Sequence, residues 1–162
     1  MLSKKEQKLI DRLKASGHAI NSVQLNAPFR FMVRPFTTVG TESVNLASWF
    51  EDEIFSAVKG WKFESPIAGI VIFPKIFNKE VSPPPDDHIT YKKKEKSVYV
   101  GLNIEFSTWA SAPKQEKLRL LSDNIERSLE RIPNKYLLDT DRKKLLSIVS
   151  QSYERLIYRL LH

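Results

Sequence analysis

At 162 residues, with 41% hydrophobic and 28% charged side chains, the chain has the length of one domain and enough Phe, Trp, Ile and Leu to build a core. It has no cysteine, which excludes disulfides, thiol nucleophiles and thiolate metal sites. The net charge of +7 is spread thinly, five basic against two acidic residues in 1–16, three against four in 27–60 and eleven against seven in 107–162, as on solvated helices rather than a basic stripe.

The opening Met1–Ile10 is charged and periodic and lacks the apolar centre of a signal peptide. No apolar run nears the ~20 residues of a membrane span, so a cytoplasmic protein is expected. Residues 3–15 predict a helix capped by Ser3, with Leu9, Ile10 and Leu13 on one face and Gly17 at its end. Phe29–Arg34 alternates, Phe29, Phe31 and Val33 to one side and Arg30 and Arg34 to the other, and Pro35 closes it. A second helix is expected from Ser43 to about Lys59, burying Leu46, Phe50, Ile54 and Ala57 or Val58 and stopped by Gly60.

Pro66–Phe73 is apolar on both sides and predicts a central strand. Asn78–His88, with Pro83, Pro84 and Pro85, predicts an extended exposed loop. Ile89–Lys92 and Ser97–Phe106 pair as a hairpin across a lysine-rich turn without glycine, so a turn on type I geometry is expected. In the second strand Val98, Val100, Leu102, Ile104 and Phe106 alternate with Tyr99, Gly101, Asn103 and Glu105. Gly101 predicts a bulge or a close backbone approach, the bulge being favoured. One helix then runs from Pro113, a favoured first helical residue, to Ile132, and another from Asp139 almost to His162. The expected fold is α+β in one domain spanning 1–162, with the helix in 1–16 peripheral. It has a mostly antiparallel four-stranded sheet with helices packed on one face, in the order α-β-α-β-β-β-α-α.

Chemistry finds few footholds. Asp86-Asp87-His88 is the one acid–histidine cluster, but neighbours in an extended loop point different ways, and a solvated loop is the favoured reading. Glu51, Asp52 and Glu53 fan out around a helix and cannot converge on one ion, which leaves a solvated face as the favoured reading. The five glycines are isolated and build no phosphate loop. No catalytic, metal or cofactor residue is assigned, and no cofactor is expected. The lysines of the hairpin turn, Lys92 to Lys96, read as a solvated turn before a phosphate site. If helices cover the face bearing Val98, Val100 and Leu102, the other face presents Arg30, Arg34, Lys92, Tyr99, Asn103 and Glu105, with Lys93 and Lys94 at its rim. These eight are the expected partner-binding residues, since a mixed apolar–polar sheet face must be covered by the N-terminal helix, by a loop or by a partner.

The stretch Tyr91–Phe106, the segment Ser107-Thr-Trp-Ala-Ser-Ala-Pro113 and the Leu118–Ile132 helix together resemble small immunity proteins of bacterial contact-dependent and polymorphic toxin systems. Within that group the chain resembles immunity protein family forty-four, over roughly residues 67–160. The resemblance implies a non-enzymatic cytosolic protein, a monomer or weak homo-oligomer, that binds one cognate toxin domain and uses no cofactor. It assigns no binding residues. Immunity proteins against nucleases are often acidic, so this basic chain suits an acidic toxin surface or docking outside the active site. The alternative is a basic nucleic-acid-associated protein.

Overall fold

The structure is a computed structural model describing residues 3–6, 8, 29–34, 40–81, 83–84 and 86–162. Of the predicted N-terminal helix only Ser3–Glu6 and Lys8 fall within this set; there Ser3 Oγ accepts from the Glu6 N–H at 3.1 Å, as its capping role requires, and the remainder lies outside the described residues.

The described elements run β1 (Arg30–Val33), α1 (Gly40–Val58), β2 (Gly69–Ile72), β3 (Lys75–Phe77), β4 (His88–Lys92), β5 (Ser97–Gly101), β6 (Asn103–Glu105), α2 (Phe106–Ser111), α3 (Lys114–Arg131) and α4 (Asp139–Leu161). Gly60, at φ 82°, stops the chain after α1 in the left-handed conformation that glycine adopts without strain. Pro113 caps α3 from outside rather than serving as its first residue.

The class is α+β as expected, but the sheet is not mostly antiparallel. Its order is β1-β2-β5-β4, with β1, β2 and β5 parallel and only β4 antiparallel, against β5. The reason lies in connection length. A hairpin reverses a strand, whereas the helical crossover α1 between β1 and β2 returns the chain in the same direction. Beyond Ile72 the β2–β5 pair continues as the parallel pair β3–β6 with an unchanged register. Phe73 N donates to Val100 O and Lys75 N to Leu102 O, both at 2.9 Å, so there is no bulge at Gly101. Pro74, which has no N–H, sits in this span, just past the last β1–β2 pairing at Ile72. At the junction, Asn124 on α3 donates Nδ2 to Leu102 O at 3.1 Å.

The helices pack over one face. Phe31, Val33, Ile70, Ile72, Val98 and Val100 meet Phe50, Ile54, Leu118, Ile125, Leu129 and Leu145 in one buried cluster, with Trp109 of α2 at 1% exposure. The segment between the last strand and α3 is therefore helical and anchored. A buried polar cluster ties α4 to the entry of β2. Asp141, fully buried, accepts from Ser65 N at 2.7 Å and from Ser65 Oγ, while Ser65 Oγ accepts from Leu138 N at 2.9 Å. These bonds replace the water that Asp141 Oδ2 and the Ser65 hydroxyl lose on burial.

Candidate protein-binding face

The face of the sheet away from the helix core is built in rows, because paired residues on neighbouring strands project to the same side. The first row is Arg30, Gly69, Ser97 and Lys92; the second is Met32, Val71, Tyr99 and Thr90; the third brings Gly101 beside His88. Phe73 follows Val71 by two residues and lies in the third row. Among the described residues no helix packs against these rows.

Two glycines decide how the side chains lie. A Cβ on Gly69 would stand 2.9 Å from Arg30 O and 3.0 Å from Ser97 Oγ. Without one, Arg30 reaches across β2 and donates Nη2 to Ser97 Oγ at 3.3 Å. A Cβ on Gly101 would overlap the Phe73 ring and come within 2.9 Å of Lys75 Cε. Gly101 thus makes room for a ring and a lysine stem, the arrangement in which an aromatic covers a glycine in a neighbouring strand. The bulge predicted from this glycine is replaced by a side-chain contact. Sequence reasoning passed over Gly69, although a glycine within a fully apolar strand is the same signal.

An aromatic line crosses the face. The Phe73 ring meets His88 edge-on at 5.2 Å and Tyr99 at 6.4 Å, and Lys92 Nζ lies 4.0 Å above the Tyr99 ring. His88, predicted in the loop, is the first residue of β4, and its Nε2 is 2.7 Å from Thr90 Oγ1. Tyr99 Oη donates to Glu95 Oε2 at 2.6 Å. That bond holds the phenol above its ordinary pKa, while the guanidiniums of Arg30 and Arg34 pull the other way.

The remaining predicted partner-binding residues lie around this centre. Lys93 and Lys94 are exposed in a four-residue turn, closed by Lys96 N to Lys93 O at 3.3 Å with Lys96 at φ 51°. Arg34 is exposed past the end of β1 and approaches Glu51 at 4.0 Å. Asn103 and Glu105 lie on β6, opposite Lys75 and Phe77. Glu105 also caps α2: its carboxylate accepts from Ser107 N at 3.3 Å, Thr108 N at 3.2 Å and both hydroxyls. The hydroxyl and amide bonds of Ser107 and Thr108 lower its pKa to about 2.

The acids singled out for chemistry point elsewhere. Asp87 pairs with Arg131 at 2.8 Å, and Asp86 receives Lys75 Nζ on its carbonyl at 2.8 Å. Glu51 accepts from Val33 N at 3.1 Å, and Glu53 binds Arg155 at 2.9 Å and Arg159. Of that acidic trio only Asp52 is left on a solvated face; the other two fasten α1 to β1 and to α4. Among the described residues no group of three or more His, Asp or Glu is placed to hold a metal ion. No helix among them is long and apolar enough to cross a membrane.

Fold and face together define a class: an α+β fold with one helix-covered sheet face and, on the other, aromatic and basic side chains over which no described helix packs. Within that class the chain belongs to the Immunity protein 44 family, whose model matches residues 27–155. It is by that membership an immunity protein. No curated protein and no solved structure matches the chain.

Proposed function

We propose that this immunity protein binds a single cognate toxin domain through the open sheet face and so neutralises it, acting in the cytoplasm of a bacterium that uses a contact-dependent or polymorphic toxin system. It does so by contact alone, without catalysis or a cofactor. The observation that carries this reading is the family match, because residues 27–155 contain all six described strands and hence the whole face. The composition of the face supports it: aromatic rings and arginine beside buried apolar side chains are what the centres of protein interfaces favour. The toxin's own active site holds the chemistry, and a standard interface would bury about 1,600 Å² in total.

The test is to mix the purified chain with the toxin domain encoded beside it and follow complex formation by size exclusion and calorimetry. A one-to-one complex that abolishes toxin activity is expected. Phe73→Ala and Tyr99→Ala should each weaken it by about 2 kcal/mol or more, as interface anchors do, while leaving the far-ultraviolet circular dichroism unchanged. A wild-type chain that neither binds nor protects would overturn the reading.

A further inference from the structure

The corner of the face nearest the lysine turn has a lopsided charge. Arg30, Lys92, Lys93, Lys94 and Lys96 are all exposed there, and among the described residues none of the five is in an ion pair. The one carboxylate in the turn is Glu95, and it is bonded to the Tyr99 hydroxyl. An O–H donor flanked by cations is a receptor for a carboxylate, since each bond to the anion is strengthened by charge. Glu95 reaches it from an exposed turn, so its side chain can swing out without disturbing the sheet.

We propose that the partner docks with an acidic surface, and that one of its carboxylates takes the place of Glu95 on the Tyr99 hydroxyl, between Arg30 and Lys92. The inference rests on the reading that the open face binds the toxin domain. Charge complementarity selects the occupant, and the rings select it over a nucleic acid. Base stacking needs an uncovered ring face, whereas Lys92 lies over Tyr99 and His88 abuts Phe73. Met32 and Tyr99, both partly exposed, continue from this corner and supply the apolar contact beside the anion.

The inference predicts opposite signs from two neighbouring exposed residues. In calorimetry with the toxin domain, Lys92→Glu should weaken the complex at least about tenfold, because like charges then face each other across the interface. Glu95→Gln should tighten it by about two- to fivefold, the scale of an exposed charge pair. Raising salt from about 50 to about 500 mM should weaken wild type and narrow both differences. Thermal melts of the free proteins should stay within about 2 °C of wild type, since both side chains are at the surface. Binding that ignores both substitutions, or that Glu95→Gln weakens, overturns this inference while the toxin-binding reading stands. Displacement of the toxin domain from this face by polyuridine overturns it as well. Failure of the wild-type chain to bind overturns both.

Discussion

The two faces of the sheet come from the same strands, yet they are closed in different ways. On the helix side, Ile70, Ile72, Val98 and Val100 are completely buried by a second layer of structure, with Phe50, Ile54 and Leu129 filling the space between. On the other side Val71 is still 8% exposed, although no described helix covers it. Its strand neighbours on that side are Met32 and Tyr99. A strand apolar on both sides normally needs a layer on each. Here one layer is helical, and on the other side Arg30 and Ser97 lie close against Gly69, and Phe73 and Lys75 against Gly101. On the function proposed above, the difference separates tasks: the packed face carries stability, and the face that no described helix covers carries recognition.

The largest effect that would test this division is a cavity on the packed side. Phe50→Ala removes a fully buried ring from α1 and should cost about 3–5 kcal/mol, read as a fall in the denaturant midpoint. Toxin binding should decline only in proportion to the unfolded fraction. A variant that folds as well as wild type but binds poorly would erase the distinction between the faces.

A smaller effect is expected from Gly101→Ala, which crosses from one task to the other. The new methyl would strike the Phe73 ring, which would have to turn against its contacts with His88 and Tyr99 to admit it. The stability loss should stay near about 1 kcal/mol, the low end for overpacking. Binding should suffer more than stability, because the displaced ring leaves the face. A cost of about 3 kcal/mol or more would mean that Phe73 is held as rigidly as a core residue.

Much of this division could be read before any coordinates. The alternation Val98–Phe106 and the double-sided apolar run Pro66–Phe73 have short periods, and local periodicity reports directly which side chains share a face. Strand direction was not legible in the same way. The hairpin at the lysine turn announces an antiparallel pair, but parallel pairing depends on where a crossover lands, and the pattern of strand, helix and strand over residues 30–72 was its one clue. Contacts between distant residues leave no spacing at all. Nothing local links Ser65 to Asp141, and each looks like an ordinary surface residue until the fold brings them to 2.7 Å. The role of Glu105 was hidden for another reason: capping preferences favour Ser, Thr, Asp and Asn, so Ser107 and Thr108 drew no attention to the glutamate before them.

Glu105 gives the smallest effect and marks where the two tasks meet. It lies on the rim of the open face, yet its carboxylate is bound to the first turn of α2, which carries the buried Trp109. Its folded pKa, about 2, lies below the ordinary value of 4.5. A group depressed in this way stabilises the fold above its unfolded pKa and loses that contribution as pH falls through the folded one. Glu105→Gln should therefore lower Tm slightly at neutral pH, and the gap from wild type should close between about pH 4.5 and about pH 2. Thermal melts of both proteins across that range measure it directly. If Glu105 acts only as a cap, calorimetry at neutral pH should find toxin affinity unchanged in the variant. A loss of affinity without any change in Tm would instead move Glu105 onto the recognition side, and extend the binding face to the end of β6.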